Sequence, residues 1–144
     1  MSYCYEYPRP ALCVDVIVIN DDFSHVLLIQ RKNNPYADSW AFPGGFVDEN
    51  EDLPDAALRE LNEETGLSDI ALKQFKTYGT PGRDPRGHVV SVVYYGICPK
   101  NTSFAAADDA KDVQWFPLQK LPILAFDHKQ IMHDFLVKIM HNLG

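Results

Sequence analysis

Apolar and polar positions along this chain change period several times, and the changes mark out its elements. Residues Leu12 to Ile19 form an almost unbroken, β-branched apolar run of the kind that makes a buried strand. Asn20, Asp21 and Asp22 supply turn chemistry and His25 to Gln30 resumes as a second strand, which predicts a hairpin. Trp40-Ala41-Phe42 is a short apolar piece halted by Pro43-Gly44-Gly45. The period then becomes helical: Leu53, Ala56, Ala57, Leu58 and Leu61 mark a buried side, and Gly66 supplies a C-cap. Leu72 to Tyr78 reads as a strand, and His88 to Cys98, nearly continuous in Val, Ile and Tyr, as a central strand covered on both faces. Val113 to Phe116 is a short strand before Pro117. Ile131, Phe135, Ile139 and Leu143 recur every four residues, which predicts an amphipathic helix from Lys129 to Asn142. Strands with two widely separated helices predict an α+β fold, a mixed sheet sandwiched between helices, in a single domain over residues 1–144.

Composition narrows the class of protein. No apolar run reaches the ~20 residues that span a bilayer, and the N-terminal MSYCYEYPRP lacks the basic-then-apolar layout of a secretory signal. Cys4, Cys13 and Cys98 are odd in number and without metal-ligand spacing, which points to reduced thiols and a cytoplasmic protein. The net charge of −7 is local: residues 48–64 hold eight carboxylates against Arg59, and acids and bases balance elsewhere. Such a segment repels nucleic acid and attracts divalent cations.

Spacing turns that acidic segment into candidate chemistry. Gly45 is followed by five residues and Glu51; seven more lead to Arg59-Glu60-Leu61-Asn62-Glu63-Glu64-Thr65-Gly66-Leu67. On a helix, positions three or four apart lie within about 60° of one another. Glu60, Glu63 and Glu64 therefore project toward one side, while Leu58 and Leu61 anchor the other. Three such carboxylates repel one another unless a hard cation binds them, and Mg²⁺ prefers carboxylate oxygens. Arg59, four residues before Glu63, is placed to steady it. Pro43-Gly44-Gly45 leaves backbone carbonyls free to approach a metal, and Glu51 stands in the loop before the helix as an outer brace. Downstream, Arg83 and Arg86 lie in the turn-rich stretch Thr80 to His88, where guanidinium groups suit phosphate oxygens. Arg31, at the end of the second strand, is a further phosphate candidate, and His88 a further substrate contact. No histidine has zinc spacing. Trp40, Phe42 and Trp115 read as core aromatics.

The segment GFVDENEDLPDAALRELNEETGL resembles the signature of the Nudix hydrolase family at all nine specified positions. The resemblance implies a mixed sheet between helices and Mg²⁺-dependent hydrolysis of a nucleoside diphosphate derivative, with Mn²⁺ as a possible substitute. It also implies Glu60 and Glu64 as principal metal ligands, Glu63 and the Gly44 carbonyl as helpers, and Glu51 and Arg59 as supports. The stretches around Pro81, Asp108 to Val113 and Ala125 to Lys129 are similar to the ADP-ribose pyrophosphatase branch. That branch implies a homodimer converting ADP-ribose to AMP and ribose 5-phosphate. Many members carry an acidic general base before the last strand; Asp109 is the candidate, with Glu60 or Glu63 as alternatives. Two other functions stay open: hydrolysis of oxidised nucleoside triphosphates, and non-catalytic sensing of ADP-ribose. The complete glutamate set, and the single helix after Trp115, count against the sensor.

Overall fold

The computed structural model describes residues 2–104 and 110–143. Seven strands and two helices follow in the order β1 (Ala11–Asn20), β2 (His25–Arg31), β3 (Trp40–Ala41), β4 (Gly44–Phe46), α1 (Leu53–Thr65), β5 (Lys73–Tyr78), β6 (Val89–Cys98), β7 (Ala110–Pro117) and α2 (His128–Leu143). The sheet is mixed: β1 pairs β6 in parallel over its whole length, from Ala11 opposite Val89 to Asn20 opposite Cys98, the other pairings between these strands are antiparallel, and Trp40 makes a single parallel bridge to Leu124. The predicted hairpin is present, its turn closed by the Asn20 side chain, which accepts from the Ser24 and His25 amides.

Alternation along β1 divides the core in two. Val14, Val16 and Val18 join Leu27, Ile29, Ala56, Ala57 and Leu61 beneath α1. Ile17 and Ile19 face the other way, joining Val26, Leu28, Phe42, Val93, Ile131, Met132 and Phe135 beneath α2. Each helix therefore buries one stripe on one face of the sheet, which is the predicted sandwich. Trp40, Phe42 and Trp115 all pack into these two clusters. Leu58 departs from expectation: it is 36% exposed, because Ala56, Ala57, Leu61 and Glu64 take up the narrow inward stripe of α1.

A splay in the sheet makes the cleft. β1 and β2 pair only at Val18–Leu27 and Ile19–Val26. Beyond that point Cys13–Asp15 of β1 turn to β4, and Ile29–Gln30 of β2 turn to β3. Phe42 and Pro43 link the two short strands, and the Val16 amide bonds the Pro43 carbonyl at 2.8 Å. Proline lacks the N–H that a continuing strand would need, so the chain crosses the opening instead of closing it. Among the described residues, no helix is long and apolar enough to cross a membrane.

Candidate active site

Helix α1 brings its carboxylates to this opening with help from both ends. Asp52 caps it, accepting from the Leu53 amide at 2.9 Å, and Pro54 suits the first turn. Gly66 closes it in the left-handed conformation, φ 79°, its amide bonding Asn62. Glu60 and Glu64, one turn apart, are both buried against β4. The Gly44 amide donates to Glu64 Oε1 at 2.7 Å. A Cβ at Gly45 would stand 2.6 Å from the Glu60 carboxyl carbon, so a side chain there would displace the end of Glu60. The two glycines thus admit the carboxylates to the strand edge.

Glu63 does not join them. Its side chain is 45% exposed on the outer flank of α1, 3.3 Å from Arg59 Nη1. One residue of helix is a rotation of about 100°, which takes Glu63 away from the cleft that Glu64 enters. Arg59 divides its attention differently from the expected pairing. It grips Glu51 with two bonds of 2.7 and 2.9 Å, reaches Glu60 at 2.9 Å and the Phe46 carbonyl at 3.1 Å. The Glu51 carboxylate also accepts from the Asp48 amide. Hydrogen bonding from Arg59 pushes the Glu51 carboxyl down to about 2, and the same bonds raise the Arg59 guanidinium. Glu51 therefore braces the arginine that in turn steadies Glu60.

A cationic wall faces the carboxylates. Arg31, Arg83 and Arg86 line the cleft with Gly44, Gly45 and Glu64. Their situations differ. Arg83 is almost fully buried and locked on Asp127 by two bonds of 2.8 and 2.6 Å. Arg86 bonds Asp84 at 3.0 and 2.8 Å and lies over the rings of Phe46 and Phe126, 4.7 and 5.3 Å from their centroids. Arg31 donates to the Pro35 carbonyl and lies 4.9 Å from the Phe126 centroid, with no ion pair to a described carboxylate. Burial, and then the neighbouring Arg86, lower the Arg31 guanidinium. Half-buried like charges of this kind gain most from an incoming anion. Phe126, which they share, has φ 52°, a conformation rare for a bulky residue and common at ligand sites. His88, by contrast, is exposed, bonds the Gly79 carbonyl and lies outside the cleft lining. Asp109 lies outside the described residues.

The floor of the cleft holds groups that the pattern of the chain did not single out as site residues. Asp15 of β1 accepts from the Ser91 hydroxyl and faces His128 Nε2 at 3.6 Å. Burial alone would raise the Asp15 carboxyl, but His128, the Ser91 hydroxyl and Arg83 outweigh it and hold it below the usual range. Asp15 is the one charge inside the apolar run Leu12 to Ile19. A charge in a strand covered on both faces needs partners, and that was the available signal. Cys13, also on the lining, has its thiol pushed up to about 12 by burial and then by Asp15, and is inert.

Two carboxylates at a glycine-lined strand edge suit a hard divalent cation by the chemistry of their oxygens. No group of three or more His, Cys, Asp or Glu side chains gathers at ligating distance among the described residues. Among the described residues, the side-chain donors brought together are Glu60 and Glu64, beside the Gly44 backbone, which matches an ion that keeps several waters.

A model of the NUDIX domain matches residues 9–136 of this chain. The chain belongs to the Nudix family. Among its relatives, an ADP-ribose pyrophosphatase of Methanocaldococcus jannaschii is 44% identical, across 90% of this chain and 75% of that protein. An ADPR-responsive transcriptional repressor, NtrR of Acinetobacter baylyi, is 34% identical across 93% of this chain, which spans 56% of the repressor's length. Among solved structures, the Nudix domain of Shewanella oneidensis NrtR complexed with ADP-ribose superposes with TM-score 0.84 at 33% identity, covering 92% of this Nudix chain and 90% of that one. A bifunctional NMN adenylyltransferase/ADP-ribose pyrophosphatase of Francisella tularensis, complexed with AMP and a manganese ion, superposes at 0.80 with 33% identity, over 93% of this chain and 43% of that one. These neighbours share the mixed sheet flanked by helices.

Proposed function

We propose that this Nudix domain, residues 1–144, hydrolyses the diphosphate of ADP-ribose to AMP and ribose 5-phosphate, with Mg²⁺ as cofactor and Mn²⁺ able to replace it. The observation that carries the reading is the polarity of one cleft: Glu60 and Glu64 at one wall, Arg31 and Arg86 at the other. Glu60 and Glu64 would hold the ion, which would neutralise phosphate oxygens and make a water more acidic. Arg31 and Arg86 bind the diphosphate oxygens and fix the chain of the substrate for in-line attack. Phe126 and Phe46 hold the Arg86 guanidinium in place, and Glu51 with Arg59 keeps Glu60 aimed at the cleft. Arg83, spent on Asp127, shapes the wall. Glu60 is the described carboxylate best placed to take a proton from the attacking water, with Asp109 the alternative. The relative at 44% identity named an ADP-ribose pyrophosphatase supports this substrate. Three free cysteines support a reducing, cytoplasmic setting. The exposed aromatic N-terminal segment of Tyr3, Tyr5 and Tyr7 supports a homodimer.

A second reading, an ADP-ribose sensor that does not cut, draws on the likeness to NtrR. The carboxylate pair and its brace are what a sensor has no use for. One experiment separates the readings: chromatographic product analysis with ADP-ribose, NADH, diadenosine polyphosphates and 8-oxo-dGTP, with and without Mg²⁺. AMP and ribose 5-phosphate from ADP-ribose, in Mg²⁺ alone, is the expected result. Preference for 8-oxo-dGTP refutes the substrate, and ADP-ribose bound with Mg²⁺ but left intact establishes the sensor.

A further inference from the structure

Asp15, Ser91 and His128 form a buried polar cluster that neither metal binding nor phosphate binding requires. Period-two alternation points Asp15 to the α2 side of the sheet, where the Ser91 hydroxyl of β6 donates to its Oδ2. Its Oδ1 faces His128 Nε2 at 3.6 Å, beyond hydrogen-bond length. The Phe42 amide donates to His128 Nδ1 at 3.2 Å, which assigns the ring proton to Nε2. The rings of Phe42 and Phe126, 4.8 and 5.6 Å away, wedge the imidazole so that it does not swing closer. Asp15 thus retains acceptor capacity on the cleft side, where it lines the recess with Arg83 and Arg86.

The chemistry of that recess selects what enters it. A carboxylate only accepts hydrogen bonds, so it repels phosphate and takes a hydroxyl or N–H donor. The recess is narrow, about 70 Å³, beside a trough of about 360 Å³ that runs past Arg31, Lys32 and Glu60. The trough, with Glu60 and Glu64 facing Arg31 and Arg86, suits the diphosphate, and the small end of the substrate suits the recess. Asp15 stands opposite Gly44, whose amide holds Glu64, so the recess lies roughly one strand spacing, ~5 Å, from the carboxylate wall. A group esterified directly to the diphosphate reaches it.

We propose that Asp15 is a specificity-determining residue that accepts hydrogen bonds from the hydroxyls of the sugar esterified to the diphosphate at the end away from the nucleoside. Ser91 and His128 position its carboxylate for that task. This assignment rests on the diphosphate reading above and names the feature by which the site tells a sugar ester from a plain one. Sites built to bond a hydroxyl discriminate strongly against analogues that lack it.

The test compares kcat/KM for ADP-ribose and for the β-methyl ester of ADP, which has no sugar hydroxyl there, in wild type, Asp15→Asn and Ser91→Ala. Calorimetric Kd values for both compounds without metal provide a readout independent of turnover. Wild type should favour ADP-ribose; Asp15→Asn should lose roughly 100-fold on ADP-ribose and only a few-fold on the methyl ester. Ser91→Ala should move the ratio the same way by less, and it decides the matter if Asp15→Asn does not fold. Equal losses on both compounds, or an unmoved ratio with an active wild type, overturn the assignment alone. So does a loss that follows replacement of adenine by hypoxanthine, which removes the amino donor of the base. A wild type inert toward both compounds overturns the diphosphate reading and this subsite together.

Discussion

Single residues in this cleft carry unequal shares of the work. Glu64 sits at the cleft wall on a 2.7 Å bond from Gly44, so Glu64→Gln keeps the packing while removing the charge. Turnover should fall at least about 100-fold, with the far-ultraviolet circular dichroism spectrum unchanged. Glu51 acts at one remove, through Arg59. Its folded carboxyl lies near 2 against an ordinary 4.5, so the unfolded chain takes up its proton first as pH falls. The contribution of the brace is complete above about 4.5 and disappears as pH drops through about 2. The melting temperature of wild type should therefore exceed that of Glu51→Gln near neutrality, and the gap should close across that acid window. A gap independent of pH would show that Glu51 stabilises by packing alone.

Whole elements set which side chains meet. The two glycines of β4 differ in what surrounds them: a Cβ at Gly44 would strike the Val14 backbone carbonyl, whereas one at Gly45 would strike the movable end of Glu60. Gly44→Ala should cost ~1–3 kcal/mol of stability, seen in a urea melt. Gly45→Ala should melt within a few degrees of wild type yet lose most of its activity, because Glu60 is what gives way. The loop before β6 and the start of α2 are joined by Arg83 and Asp127. Asp127→Ala leaves a buried guanidinium uncompensated and should destabilise the fold by ~3–5 kcal/mol. Arg31→Ala, removing a cation with no ion pair to a described carboxylate, should instead leave the melt nearly unchanged and raise KM for ADP-ribose about tenfold, or ~1.4 kcal/mol. Thermal melts and steady-state kinetics on both variants check the contrast.

At the scale of the molecule, metal and fold are linked. An ion that binds only the folded chain stabilises it, by about 2.7 kcal/mol at one hundred times its Kd. Added Mg²⁺ should raise the melting temperature of wild type and do little for a Glu60→Gln, Glu64→Gln double variant, as differential scanning fluorimetry would record. The same scale shows how the acidic segment is accommodated. Its charge of −7 is confined to residues 48–64, where Arg59 gathers Glu51, Glu60 and Glu63 into one network and leaves the cleft face to Glu60 and Glu64.

Local order in the chain was sufficient to read the elements and the chemistry of α1. Periodicity located six of the seven strands and both helices, because each buries one stripe and strand and helix repeat differently; it missed β4, three residues of which two are glycines, and began β7 three residues late. The spacing from Gly45 to Leu67 specified the family and the glutamates, since helix geometry is set within a few turns. Which glutamate enters the cleft was decided by the docking of α1 on β4, and that docking turned Glu63 and Leu58 outward. Asp15, Ser91 and the pair Phe126 and His128 lie on three segments scattered through the sequence. Only the parallel pairing of β1 with β6, the splay between β1 and β2 and the packing of α2 bring them to one floor, because contacts between distant segments follow from topology and not from local period.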